Sequence, residues 1–151
     1  MNNIWKPHIT VAAVIENDGR FLLVREAVGG REVFNQPAGH LDPDETLYQA
    51  AIRETLEETG YRFVPESLVG IYQWRSPGEQ RSFIRFAFTG RAEPDPAVTG
   101  LDPDILGIEW RSREEIIALG NRARSPLILR CVDDFLAGHR YPLAALSAVD
   151  Y

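Results

Sequence analysis

Apolar and polar positions along the chain fall into three rhythms. From His8 to Glu26, Ile9, Val11, Ala13 and Ile15 interleave with Thr10, Ala12 and Val14, and Phe21–Val24 forms a second apolar run. Asn17-Asp18-Gly19 between them has turn chemistry, so the pattern predicts a hairpin over 8–26. Both faces of these strands are apolar, which predicts a sheet covered on both sides. Ala27–Glu32, with Gly29-Gly30, reads as a loop. Val33–Gln36 reads as a short extended piece, broken by Pro37-Ala38-Gly39-His40 and again by Leu41-Asp42-Pro43-Asp44.

A helical rhythm takes over at 46–59. Thr46 with Gln49 forms a capping box, Asp42 with Glu45 a rival one, and Gly60 stands where a helix would stop. Alternation returns in strands at 68–75 and 82–90, around the Pro77-Gly78 turn. Residues 91–106, with Pro94, Pro96, Gly100 and Pro103, read as a long irregular segment. A strand over 107–111 follows. Ser112 with Glu115 caps a short helix ending near Gly120, and a last helix over 125–137 is stopped by Gly138. Interleaved strands and helices predict one layered α/β (α+β) domain spanning residues 1–151.

On a helical wheel, Leu47, Ala50 and Ala51 make an apolar stripe that Glu54, Glu57 and Glu58 continue. Tyr48, Ile52, Leu56 and Thr59 occupy another side, so the helix reads as held between two layers. The acidic end of the stripe is locally unfavourable. Like charges at i,i+4 cost about 0.2–0.5 kcal/mol per pair. Anions in the last turn oppose the helix dipole by roughly 0.3–1 kcal/mol each. Arg53 supplies one cation against three anions. A solvated acidic helix end explains the charge but not its continuity with the inward stripe. A site for a hard divalent cation, Mg²⁺ or Mn²⁺, explains both.

Composition narrows the partners. Apolar residues at 44% and charged residues at 25% are ordinary for a globular chain. The net charge of −6 argues against nucleic acid as a partner but admits a small anionic ligand bound by local cations. The start MNNIWKPHIT lacks a signal-like apolar run, and no stretch reaches the roughly 20 apolar residues of a membrane span. The single cysteine, Cys131, excludes a disulfide framework within the chain and fits a reducing cytoplasm, the expected location. Monomer and homodimer are both left open.

The stretch 39–61, GHLDPDETLYQAAIRETLEETGY, resembles the Nudix box, G-x5-E-x7-R-E-U-x-E-E-x-G-U, at Gly39, Glu45, Arg53, Glu54, Glu57, Glu58 and Gly60. Thr55 and Tyr61 depart from it at two packing positions. Further segments, NQPAGHL at 35–41, QW at 73–74, IRF at 84–86, RSPL at 124–127 and RYPL at 140–143, resemble one bacterial phosphatase subgroup of that family. The resemblance implies a Nudix fold, a mixed β-sheet sandwiched between α-helices. It implies an enzyme acting on phosphorus-containing anhydrides: a Mg²⁺-dependent pyrophosphohydrolase or phosphatase. Its substrate would be a nucleoside tri- or diphosphate, or a small pyrophosphate such as a thiamin precursor. The alternative is a Nudix-fold nucleotide or ADP-ribose sensor without turnover.

Carried onto this chain, the resemblance makes Glu54, Glu57 and Glu58 the metal carboxylates, with the Gly39 carbonyl as a further ligand and Glu45 in support. Arg53 would orient one of the glutamates. Glu54 or Glu57 would take the proton of the attacking water, or Asp102 or Asp104 would do so from the 91–106 loop, where both also read as turn residues beside Pro103. Arg85, alternating with Ile84 and Phe86, reads equally as a solvated edge or as a cation facing a cleft; Arg25 is a second candidate for phosphate contact. Trp74 is the candidate stacking wall, whereas Phe34 and Trp110 read as core. His40 reads as a loop hydrogen-bonder.

Overall fold

Two four-stranded sheets meet along a seam in this computed structural model, which describes residues 2–151. The first sheet runs β5 (Ala38–His40), β1 (His8–Val14), β7 (Arg81–Pro94), β6 (Tyr61–Ser76). Its β1–β7 pair is parallel and the others are antiparallel, so the sheet is mixed. In the second, β3 (Arg20–Val28) pairs with β2 (Glu16–Asn17) and β4 (Arg31–Asn35) along one edge and with β8 (Ile105–Ser112) along the other.

Helix α1 (Leu47–Thr59) covers one side, against β1, β5 and β6. Helix α3 (Leu127–Leu136), with α2 (Arg113–Ile117) beside it, covers the other. Two cores result. One, under α1, gathers Val11, Ala13, Ile15, Leu22, Ala50, Ala51 and Phe88. The other, under α3, gathers Val14, Leu23, Phe34, Ala87, Ile128, Cys131 and Val132. Neighbours such as Leu22 and Leu23, or Ala87 and Phe88, enter opposite cores, as the two-residue period of a strand requires. The continuous apolar runs in the sequence are strands buried on both faces, and the helix-flanked mixed sheet expected from the sequence is the architecture found.

Several elements depart from the sequence reading. The 8–26 hairpin does not form as such: the Asn17–Gly19 turn joins β2 to β3, while β1 lies in the other sheet. The chain crosses at Ile15, whose carbonyl accepts from the Leu22 N–H at 2.9 Å. With both faces of β1 apolar, its own pattern does not choose a neighbour. The 27–32 loop is instead a tight turn at Gly29 and Gly30, φ 56° and 77°, between β3 and β4. The predicted break at 37–40 instead contains the edge strand β5 (Ala38–His40). The strands at 68–75 and 82–90 are the middle of a longer ribbon running from Tyr61 to Pro94, with bulges near Pro65 and Leu68.

Helix α1 forms as its caps predict. Thr46 Oγ1 accepts from the Gln49 N–H and Gln49 Oε1 from the Thr46 N–H, and Gly60 closes the helix at φ 74°. The rival Asp42/Glu45 box survives in part, the Asp42 N–H donating to Glu45 Oε1 at 2.8 Å inside the preceding loop. The helix is buried along one strip only, Ala50, Ala51, Thr55, Glu58 and Thr59. Tyr48 is exposed and Ile52 and Leu56 half-buried, so α1 caps one layer rather than sitting between two. Thr55 is tolerated at its buried position because its hydroxyl donates to the Ala51 carbonyl at 2.8 Å. Tyr61 packs edge-on against Trp110.

Candidate active site

The acidic end of α1 faces β5, and Gly39 is the reason it can. A β-carbon at Gly39 would overlap the carboxylate of Glu54. Carboxylate oxygens of Glu54, Glu57 and Asp102 lie within 4.8 Å of one another. Asp102 comes from the segment between β7 and β8, pinned there by its N–H donating to the Glu57 carbonyl at 3.0 Å. A hard divalent ion with oxygen ligands at 2.0–2.1 Å spaces them by at most about 4.2 Å, so sub-ångström adjustments close this cluster on one. The donor set is all oxygen, and the three residues form an acidic cluster able to hold a divalent cation.

Arg53 organises the cluster. Its Nε and Nη2 donate to the two oxygens of Glu45 at 3.0 and 2.7 Å, a fork that fixes its plane. Nη1 reaches Glu54 at 2.8 Å and Glu57 at 3.3 Å, and Nη2 also donates to the His40 carbonyl at 3.0 Å. Hydrogen bonds from Arg53 hold the Glu45 carboxyl below the usual carboxylate range. The Glu54 carboxyl is pushed up by burial, against the opposing pull of Arg53.

Glu58 stands apart from the three-carboxylate cluster. It is 6% exposed, and its Oε1 accepts the Ala38 N–H at 2.8 Å. Burial pushes its carboxyl up to about 9. Both Glu54 and Glu58 open onto a cleft of about 350 Å³ where the two sheets meet.

That cleft draws together most of the short segments singled out in the sequence. NQPAGHL supplies Asn35, Ala38, Gly39 and His40; QW supplies Trp74; IRF supplies Arg85; RSPL supplies Arg124, Ser125 and Leu127. RYPL lies elsewhere, Tyr141 bridging to Leu68. Trp74 stacks on Phe83, centroids 5.6 Å apart. Arg85 is not a solvated edge residue: it is buried, lines the cleft, and donates to Gln36 Oε1 at 2.8 Å and Asn35 Oδ1 at 3.2 Å. His40 also lines the cleft, its Nε2 3.0 Å from His8 Nδ1. Burial and the neighbouring His8 lower its basicity.

Two candidates, Arg25 and Asp104, join neither the cleft nor the carboxylate cluster. Arg25 is occupied on the second sheet by Glu32 and Glu109, both at 3.4 Å. Asp104 is exposed, and its carbonyl serves the Ala27 N–H. Phe34 and Trp110 belong to the packing, as their sequence context predicts, Phe34 fully buried beneath the Arg111 guanidinium. Sequence reasoning missed Glu26, buried in the cleft wall and paired with Arg124 at 2.7 Å. Only its place at the inner end of an apolar strand hinted at burial.

A mixed sheet flanked by helices, with a glutamate-rich helix set against a glycine strand by one arginine, defines the Nudix class of hydrolases. The chain belongs to the Nudix family: the family profile described as "NUDIX domain" matches residues 6–131. It is 42% identical over 144 residues to the phosphatase NudJ of Escherichia coli K12, an alignment covering 95% of this chain and 93% of that protein. A solved NUDIX hydrolase from Nitrosomonas europaea is 46% identical, with a TM-score of 0.92 over 96% of this chain and 99% of that one. A MutT protein from Methanosarcina mazei is more distant, at 28% identity and a TM-score of 0.66, covering 89% and 95% of the two chains. Within the family the chain lies close to the NudJ subgroup, and it is a hydrolase of phosphoanhydride bonds.

Proposed function

We propose that this chain is a Mg²⁺-dependent pyrophosphohydrolase of NudJ type, with Mn²⁺ able to replace Mg²⁺. In this reading it acts in the cytoplasm on nucleoside tri- or diphosphates or on a small pyrophosphate such as a thiamin precursor. The observation that carries it is the convergence of Glu54, Glu57 and Asp102 beside Gly39, with Arg53 as their shared cation. A divalent cation held there supplies neutralisation of phosphate charge and a lowered pKa for water.

The chain's own residues do the rest. Glu54, Glu57 and Asp102 would hold the cation, and Gly39 leaves room for Glu54. Arg53, clamped by Glu45, fixes the orientation of Glu54. Glu54 or Glu57 would accept the proton of the attacking water, each carboxylate offering an oxygen at the cluster. A sensor without turnover needs none of this carboxylate machinery intact.

The test is a Mg²⁺-supplemented screen of nucleotides and small pyrophosphates that distinguishes orthophosphate from pyrophosphate release. Metal-dependent release, abolished by Glu54→Gln, is expected. Nucleotide-dependent thermal stabilisation with no release from any compound would leave a sensor in its place.

A further inference from the structure

The face of the first sheet that floors the cleft is built in rungs. Strand register sets Trp74 beside Phe83 and Phe83 beside His8. On the same face, one rung further, stand Tyr72, Arg85 and Thr10. Strand geometry separates the rungs by about 7 Å. The first rung is aromatic: Trp74 stacks on Phe83, and the His8 ring lies 5.3 Å from the Phe83 centroid. The second carries one guanidinium at its centre.

Arg85 is unusual among the arginines of this chain. It is 5% exposed, yet no carboxylate among the described residues pairs with it. Its acceptors are the neutral amides of Gln36 and Asn35, with the Cys131 thiol at 4.0 Å. Its Nε has no acceptor among the described residues. Buried charges are ordinarily paired, because an isolated one carries a large desolvation cost. The carboxylates sharing the cleft are engaged elsewhere: Glu26 by Arg124, Glu58 by the Ala38 N–H, Glu54 and Asp42 by Arg53, and Glu79 by Arg81.

The surroundings hold this cation in place without neutralising it. Gln36, which grips Nη1, is itself fixed by its Nε2 donating to the Ile128 carbonyl at 2.8 Å. Ser125 and Leu127, at the start of α3, line the same cleft, so the positive end of that helix's dipole adds to the charge. Arg124 lines the cleft as well, but its charge is met by Glu26 at 2.7 Å, which leaves Arg85 as the cation without a carboxylate partner there.

We infer that Arg85 binds a phosphoryl group of the substrate other than the one held at the carboxylate cluster. It thereby selects compounds whose phosphate lies one rung from an aromatic ring seated on Trp74 and Phe83. This role rests on the pyrophosphohydrolase reading above. An anionic ligand completes what the protein leaves open at this position: a counter-charge for a guanidinium that only amides restrain.

Arg85→Lys keeps a cation but loses the planar fork, and Arg85→Gln removes the charge. The probe is inorganic pyrophosphate, titrated calorimetrically into protein in EDTA, with the melting temperature of each variant as the folding control. Wild type should bind. Arg85→Lys should melt near wild type and bind about 10- to 100-fold more weakly, with Arg85→Gln weaker still. With Mg²⁺ and a hydrolysed substrate, Arg85→Lys should raise KM while moving kcat little. Pyrophosphate binding by Arg85→Lys equal to wild type, or an unchanged KM, overturns the inference and leaves the hydrolase reading intact. Arg85-dependent pyrophosphate binding with no hydrolysed substrate in the screen removes the hydrolase reading instead and keeps the anion site.

Discussion

Gly39 faces the Glu54 carboxylate at a separation that leaves no room for a β-carbon. A strand residue and a helix residue thus share a contact that only glycine permits. Gly39→Ala should displace Glu54 and weaken Mn²⁺ binding by about 10- to 100-fold, with a matching loss of turnover. The fold should survive, because β5 is an edge strand and the atoms nearest the added methyl belong to the Glu54 side chain. Calorimetric Mn²⁺ titration beside a thermal melt checks both halves. An alanine variant that binds Mn²⁺ like wild type would show that Glu54 adjusts freely.

Arg53 and Glu45 form a forked pair in which each partner is largely enclosed. Removing either leaves the other short of its counter-charge. A double-mutant cycle with Arg53→Ala and Glu45→Ala should give a coupling of about 1–3 kcal/mol, measured by urea unfolding without metal. Arg53→Ala should be the more damaging single change, since it also releases Glu54, Glu57 and the His40 carbonyl.

Asp102 and Asp104 flank the same proline but face different environments. Asp102 reaches the carboxylate cluster; Asp104 is exposed outside it. Asp102→Asn should weaken Mn²⁺ binding at least about tenfold. Asp104→Asn should leave both metal binding and turnover unchanged. Equal losses in the two variants would mean that the loop, rather than the Asp102 carboxylate, is what matters.

Glu58 makes the metal-free protein sensitive to pH. Its folded-state carboxyl holds its proton to about 9, against 4.5 as the ordinary value. Between these limits the unfolded chain has lost a proton that the folded chain retains, so stability falls as pH rises, by at most about 1.4 kcal/mol per unit. In EDTA, urea midpoints should decline from pH 5 toward pH 9. Glu58→Gln, which can still accept the Ala38 N–H, should flatten that decline. A wild-type profile that rises over this range would contradict the burial of Glu58 as a neutral acid.

Helix α1 was legible because its signals are local: Thr46 and Gln49 cap one end, Gly60 the other, and the acidic stripe lies between. The three-carboxylate cluster was only half legible. Glu54 and Glu57 announce themselves by spacing, but Asp102 joins them through one backbone hydrogen bond to a residue far away in sequence. The two-sheet arrangement was hidden for a different reason. Strands buried on both faces, such as β1, carry no outward polar face to reveal which neighbour they pair with. Arg85 could not be settled between edge and cleft, because its burial depends on Asn35, Gln36 and Cys131, none near it in the chain.

The grip of Arg53 reaches from the loop before α1, at His40, Asp42 and Glu45, to the acidic turn at the helix's far end. One side chain staples both arms of a loop–helix–loop unit with no ion required. A dication arriving there would meet carboxylates already held in place, and its departure would leave the helix's caps and the Arg53 contacts intact. Exchange of one ion for another would then be a local event at the end of an otherwise intact helix.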